Sequence, residues 1–264
     1  MSELSSWGSG SHQSDAALRD GAVLKRVGPW TPAVIALLEH LERAGFTGAP
    51  RALATASGPA FSFVPGESPH PRAWSDEAVS GVGSLLRALH DATATFEPPA
   101  GASWQASWLR DLPGPEVVIS HNDTAPWNIV GTGGRAEALI DWEFAGPVDR
   151  LWELAATVWL NAQLHDDDIA EMHGLPDAPA RARQARLIVD GYGLSAAERA
   201  ELADRLPEVA IHAARAEAVA GGVTLESTEA VTPDGYPTMW GIAWRARSAS
   251  WMARHRALLR HALR

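Results

Sequence analysis

Residues 119–155 read ISHNDTAPWNIVGTGGRAEALIDWEFAGPVDRLWELA. The apolar run Val117-Val118-Ile119 feeds His121-Asn122-Asp123, and Asn128 follows five residues after the aspartate. A Gly-rich turn, a second apolar run and Asp141-Trp142-Glu143 come next. Val117–Ile119 reads as a buried strand, and residues 128–130 and 136–141 as the two strands of a hairpin. A two-residue turn with Gly at its first central position, Gly134-Arg135, suits such a hairpin. That register sets Asn128 directly opposite Asp141. An amide oxygen and a carboxylate at neighbouring strand ends make a hard, oxygen-only site suited to Mg²⁺. Asp123, in the loop just before, is placed to accept a proton from an incoming hydroxyl.

Upstream, Ala22–Val27 reads as a strand ended by Gly28-Pro29, and Thr31-Pro32 opens a helix whose apolar stripe is Val34, Leu37, Leu38 and Leu41. Residues 49–64 hold two short extended runs, the second closing at Phe61–Val64 before Pro65-Gly66. From Ser75-Asp76-Glu77 the period turns helical, with Val79, Val82, Leu85, Leu86 and Leu89 on one face. Beyond residue 150 the pattern is helical over about 151–164, 179–192, 195–220 and 238–263. The chain thus divides into a small N-terminal part of strands and one helix and a larger helix-dominated part, joined near residues 65–74.

Composition narrows the function. The chain has 22 Lys+Arg against 32 Asp+Glu, a formal charge of −10, which argues against a whole-protein grip on nucleic acid or an anionic membrane. It has no cysteine, which removes disulfides, thiolate metal sites and cysteine nucleophiles together. No run approaches the roughly 20 apolar residues of a membrane span, and MSELSSWGSGSHQSD lacks a signal pattern. A cytoplasmic protein is expected. Lys25 is the only lysine among the 22 basic residues. An ammonium and a guanidinium are not interchangeable, so its position carries weight.

H-x-D-x-x-x-x-N at 121–128, followed by D-x-E at 141–143, resembles the catalytic core of the aminoglycoside phosphotransferase and choline kinase group, which shares the protein-kinase-like fold. Leu86–Asp91 is similar to the Leu-His ending of the first helix in the larger lobe of those enzymes. Phe61–Gly66 resembles their interlobe hinge, and Gly146–Ala155 their stretch after the metal aspartate. The resemblance spans roughly residues 8–160. It implies an α+β, two-lobed fold, with a β-rich N-lobe at 1–66 (hinge near 61–66) and a mainly helical C-lobe at 67–264. The implied activity is transfer of the γ-phosphoryl group of ATP, or GTP, to a hydroxyl of a small aminoglycoside-like or amino-alcohol-like molecule, with Mg²⁺ as cofactor and antibiotic resistance among the possible roles. The nucleotide and that molecule are the implied partners, and the chain is expected to be a monomer or homodimer.

Carried onto this sequence, the resemblance makes Asp123 the catalytic base and Asn128 and Asp141 the metal ligands, with Glu143 as a further candidate. Lys25 becomes the phosphate-binding lysine, with Arg26 as competitor should the register slip by one. Glu39 is its expected ion-pair partner, with Glu42 the alternative. The loop Gly8–Gln13, including Ser11, would cover the phosphates, and Phe63, Val64 and Pro65 would border the nucleotide. His121 and Asp149 are implied to be structural, Asp149 by bracing the catalytic loop. Trp127 is expected on the acceptor side. Asp166 and Asp168, in the acidic run after residue 164, would favour a polycationic acceptor if their charge were available. A short N-lobe leaves open a catalytically silent, nucleotide-binding protein of the same fold. A metal hydrolase built on His121, Asp123 and Asp141 lacks a second well-placed histidine.

Overall fold

The computed structural model describes residues 17–19, 21–55, 58–228 and 237–264. Its N-terminal part is an antiparallel sheet of β1 (Ala17–Arg19), β2 (Ala22–Leu24), β3 (Ala52–Thr55) and β4 (Gly58–Ser62), in the order β1-β2-β4-β3. Between β2 and β3 runs α1 (Thr31–Arg43). Its stripe of Val34, Leu37, Leu38 and Leu41 is buried as the sequence period predicts. Thr31 does not cap the helix by its side chain. Its Oγ1 accepts a bond from Gly28 N at 2.9 Å and closes the turn that leaves the strand, while Trp30 stands at the cap position.

The larger part begins with α2 (Asp76–Thr93), capped where the sequence indicates, by Ser75 accepting from Ala78 N. Two small antiparallel pairs follow. The first joins β5 (Val117–Ser120) to β8 (Gly146–Asp149) and the second joins β6 (Ile129–Val130) to β7 (Ala138–Leu139). Then come α3 (Arg150–Asn161), α4 (Asp167–Met172), α5 (Ala178–Tyr192), α6 (Ala196–Ala220), α7 (Thr238–Arg254) and α8 (Arg256–Ala262). One apolar core runs from α1 through α2, α3 and α5 to α6, α7 and α8, with Trp159, Trp251 and Tyr192 among its largest buried side chains. No helix among the described residues is long and apolar enough to cross a membrane.

Three sequence expectations shift here. β5 has a partner on one side only, and Val117 at its start is exposed, so this is not a buried central strand. The last helical stretch breaks at His255 into α7 and α8. The hairpin register is one residue off. Ile129 pairs with Leu139, so Asn128 stands opposite Ile140, whose N–H donates to Asn128 O at 2.9 Å. The turn centres on Gly133-Gly134, both at positive φ, rather than on Gly134-Arg135. Asp141 therefore lies just past the ladder.

α2 and α5 touch backbone to backbone. A Cβ placed on Gly83 would lie 1.9 Å from Ile188 O, and one on Gly191 would lie 2.1 Å from Ser80 O. Neither contact can be relieved by turning a side chain. Gly83→Ala is therefore expected to destabilise the protein by about 1–3 kcal/mol, although alanine is the better helix former. Urea unfolding of the variant beside wild type measures this.

Candidate active site

The site is assembled from two loops and the sheet edge facing them. β5 delivers the chain into the loop at His121–Asn128, and a single 3₁₀ turn at Pro126–Asn128 leads into β6. Asn128 is buried, and its amide nitrogen donates to both Asp123 O at 3.0 Å and Asp123 Oδ2 at 2.7 Å. These bonds fix one carboxylate oxygen of Asp123 and use the amide nitrogen of Asn128, which leaves the Asn128 oxygen as the atom able to bind a cation. Burial, reinforced by the negative charge of Asp141, pushes the Asp123 carboxyl up to about 7. A carboxylate so placed is a stronger proton acceptor than an ordinary surface aspartate.

Asp141 ends the β7 run in the left-handed region, at φ 66° and ψ 64°. A non-glycine residue there costs on the order of 1 kcal/mol and turns the side chain out of the ladder. Its Oδ1 forms an ion pair with Lys25 Nζ, directly after β2, across the cleft between the two parts. The sole lysine and the candidate metal carboxylate thus meet. Glu39 does not supply that partner. It is exposed on α1, and Glu42 pairs with Arg51 at 3.2 Å instead. α1 turns its apolar stripe towards the larger part, which carries these carboxylates away from Lys25.

The cleft behind this pair has a volume of about 210 Å3. Val23, Val27, Trp30, Val34, Phe61 and Phe63 give it apolar walls, and Lys25, Arg26, Asp141 and Glu143 stand at its polar end. Such a slot fits a flat heterocycle with phosphates at the charged end. Phe63 and Val64 border it as expected, whereas Pro65 is exposed and outside its lining. Ser11 and the glycine loop at 8–13 lie outside the described residues. No group of three or more His, Asp or Glu poised to hold a metal occurs among the described residues. That is compatible with Mg²⁺, which is often held by one or two protein oxygens together with substrate phosphates and water.

His121 is buried behind the loop. Its Nε2 donates to Ile140 O at 2.8 Å and its Nδ1 accepts from Asp123 N at 3.2 Å, so it ties the Asp123 loop to the strand that carries Asp141. Burial lowers its pKa, which keeps this neutral tautomer. Asp149 does not brace the catalytic loop. It caps α3 by accepting from Leu151 N and Trp152 N, and it receives Arg205 at 2.7 Å.

The bracing residue is Glu153, which the motif reading passed over. One turn into α3 and fully buried, it accepts Asn122 N–H at 2.7 Å through Oε1 and meets His90 Nε2 at 2.7 Å through Oε2. His90 Nδ1 in turn meets the Tyr192 hydroxyl at 2.8 Å. Burial alone would raise the Glu153 pKa, but these bonds and one with Ser120 hold it below the usual carboxylate value. The available signal was a His and a Glu standing alone in apolar helix faces, at 90 and 153, where an unpartnered titratable group would be costly. Asn161 adds a second tie, donating to Thr124 O at 2.8 Å while accepting from Trp74 Nε1 at 3.0 Å.

Trp127, four residues after Asp123, meets His70 edge to face, with ring centroids 5.2 Å apart. The acidic run is paired with arginines of the same chain. Asp166 is bound by Arg247 at 3.1 Å and Arg254 at 2.6 Å, and Asp168 by Arg247 at 2.5 Å. Asp167 accepts from Trp251 Nε1 at 2.7 Å and lies 3.5 Å from Arg181. Through Arg181, Arg247 and Arg254 these carboxylates fasten α4 to α5 and α7.

The chain is similar to known proteins in sequence and in fold. Residues 94–174 match a family described as a phosphotransferase enzyme family. The chain is 46% identical over 258 residues to the trifolitoxin immunity protein of Rhizobium leguminosarum bv. trifolii, covering 96% of this chain and 97% of that one. Among solved structures it resembles an amicoumacin kinase in complex with AMP-PNP and Ca²⁺, with a TM-score of 0.58 at 12% identity over 91% of this chain and 81% of that one. It also resembles an aminoglycoside phosphotransferase from Alicyclobacillus acidocaldarius, with a TM-score of 0.56 at 15% identity over 94% of this chain and 92% of that one. At these identities the structural likeness is one of fold: a small strand-bearing lobe on a larger helical lobe.

Proposed function

Because this chain belongs to the phosphotransferase family of the aminoglycoside phosphotransferases and choline kinases, and is a close relative of a toxin immunity protein, we propose that it inactivates a small toxic molecule by phosphorylating one of its hydroxyls. The phosphoryl donor is the γ-phosphate of ATP or GTP. Support comes above all from one juxtaposition: Asp123 with a raised pKa, bonded to Asn128, stands beside a cleft at whose mouth Lys25 meets Asp141.

In this reading the acceptor hydroxyl gives its proton to the Asp123 carboxylate as its oxygen bonds to the γ-phosphorus. The bond from that phosphorus to the β-phosphate bridging oxygen breaks, and the nucleoside diphosphate leaves with the electron pair. Asn128 and Asp141 would hold Mg²⁺, which neutralises phosphate charge, and Glu143 stands near enough to assist. Lys25 moves from Asp141 to the phosphate oxygens. Phe63, Val64 and the apolar walls hold the base. His121 and Glu153 fix the loop, so the chain's contribution is positioning and electrostatics.

Transfer of labelled γ-phosphate to a panel of hydroxyl-bearing toxins, by wild type and by Asp123→Ala, tests this. Equal transfer by the two proteins defeats the proposal. A silent binder of the same fold is the second reading, favoured by the Lys25–Asp141 pair, which already neutralises the carboxylate a metal would need. A binder protects sensitive cells equally well with and without Asp123, whereas an enzyme loses its protection.

Lys25→Met follows from the same geometry. The pair it breaks is partly exposed, so stability should change by no more than about 1 kcal/mol. Turnover should fall roughly 100-fold, as on loss of one group that neutralises transition-state charge. Melting temperature and kcat measured on one preparation check both halves.

A further inference from the structure

The stretch that carries the candidate metal carboxylates is anchored at both ends. A 3₁₀ turn at Trp142–Phe144 leads from Asp141 past Glu143, closed by Ala145 N donating to Trp142 O at 3.1 Å. At its start Trp142 is buried, and its Nε1 donates to Leu139 O at 2.8 Å. At its end stands Arg110, from a separate 3₁₀ turn at Trp108–Asp111 in the connection between α2 and β5. Arg110 Nη2 donates to Phe144 O at 3.2 Å and Nε to Pro147 O at 3.2 Å, while Nη1 donates to Gln105 O at 2.6 Å. Gly146, between the two residues so held, comes so near that a Cβ there would lie 2.6 Å from Arg110 Nη2. The same bend receives the loop of the base. Asn122 Nδ2 donates to Gly146 O at 2.9 Å, and Asn122 is the residue before Asp123.

All three of these arginine bonds go to backbone carbonyls. Burial of the half-buried guanidinium lowers its pKa, so desolvation works against the charge at this place. What the residue type supplies is geometry. A rigid planar fork of donors can bridge carbonyls from separate turns, which an ammonium on a flexible stem cannot do. Glu143 thus stands between two fixed neighbours, Trp142 and Phe144, and the peptide bearing Asp141 and Glu143 is fastened to the bend that also holds Asn122.

We propose that Arg110 is a positioning residue for the metal end of the cleft, setting where Asp141 and Glu143 stand relative to Asp123. It is not among the residues that line the cleft, so it acts through the loop it holds. The inference rests on the phosphotransfer reading for the pairing of these carboxylates with Mg²⁺, but the binding that tests it needs no transfer. The sign of the effect separates positioning from charge. Removing a cation from this loop would by itself favour Mg²⁺. Removing a strut that aims the ligands disfavours it, by roughly 10–100-fold for groups one step behind a metal's ligands.

The measurement is calorimetric binding of AMP-PNP and of GMP-PNP to the full chain across a series of Mg²⁺ concentrations, with phosphate-transfer assays in parallel. Arg110→Met keeps the apolar stem and removes every donor. It is expected to need at least roughly tenfold more Mg²⁺ than wild type for half-maximal nucleotide binding. Arg110→Lys should shift in the same direction by less, and it decides alone if the methionine variant does not fold. Arg199→Met is the comparison for stability, since it loses bonds to Leu194 O at 3.0 Å and Asp190 at 2.6 Å. It should lower the melting temperature with the Mg²⁺ requirement unchanged. An Arg110 variant that loses stability but keeps the wild-type Mg²⁺ requirement, or needs less Mg²⁺, overturns the inference. If it does so while wild type transfers phosphate, the phosphotransfer reading survives. If the Mg²⁺ requirement rises as expected but wild type phosphorylates nothing, the positioning role stands and that reading falls. A wild type without Mg²⁺-dependent nucleotide binding defeats both.

Discussion

Asp123→Asn is expected to lower kcat by roughly 10²–10⁴-fold while leaving Mg·ATP affinity near that of wild type. Asp141→Asn is expected to weaken Mg·ATP binding as well, by at least roughly tenfold, the lower end of what even indirect support of a metal contributes. The asymmetry follows from where the two carboxylates lie. Asp123 is held by the Asn128 amide in the loop that bears Trp127 and is not among the residues lining the cleft, so in the proposed mechanism it acts on the acceptor proton. Asp141 lines the cleft and faces Lys25, so in the proposed mechanism it acts on the phosphates. Asparagine tolerates the left-handed backbone at 141 nearly as well as aspartate does, so that variant removes charge without adding strain. Calorimetry with Mg·ATP, beside steady-state kinetics, separates the two. Loss of nucleotide binding in Asp123→Asn with normal binding in Asp141→Asn would reverse the assignment.

Glu153→Ala carries the second large effect, on folding as much as on rate. The substitution leaves the Asn122 N–H and the His90 ring buried without their acceptor. Destabilisation of at least about 2 kcal/mol is expected, since each buried group left without its partner costs about 1–3 kcal/mol. Glu153→Gln keeps an oxygen for Asn122 and should cost less. Because Asn122 itself sits at φ 63°, a strained setting next to the base, the loop should also lose its fixed geometry and kcat should fall in step. Thermal unfolding and kcat for Ala, Gln and wild type in one series check the ranking. An alanine variant as stable as wild type would refute the bracing role.

The candidate site is more legible in the sequence than its supports are. His121, Asp123, Asn128 and Asp141 announce themselves by spacing, since each must occupy a set place relative to a loop and a hairpin. The helices at 76–93 and 31–43 are readable because one face of each is apolar and buried. The hairpin register was out of reach, because three glycines in Gly131–Gly134 permit more than one turn, and the ladder is too short to select by alternation. The partner of Lys25 was misjudged because helical spacing cannot say which face of α1 the strand end meets. The acids at 166–168 looked free because their arginines lie at 181, 247 and 254, distant in sequence and brought in only by packing. Glu153 was hidden for the converse reason: its importance lies in a backbone N–H, which has no letter in the sequence.

The crossing of α2 and α5 reaches further than stability. Gly191 is followed by Tyr192, and Gly83 lies seven residues before His90 on the opposing helix. These are the two rings whose bond, continued through Glu153 to Asn122, ends at the residue before the base. The hydrogen atoms that stand in for side chains at 83 and 191 therefore meter how far apart two rigid rods sit, and that separation is transmitted through three polar links to the reaction centre. A substitution well removed from any ligand can in this way shift the base by a fraction of an ångström, and the first sign would be a change in kcat with KM for the nucleotide untouched. Directed changes of rate in this protein need not be sought at the cleft; the gap between two helices behind it is already a dial.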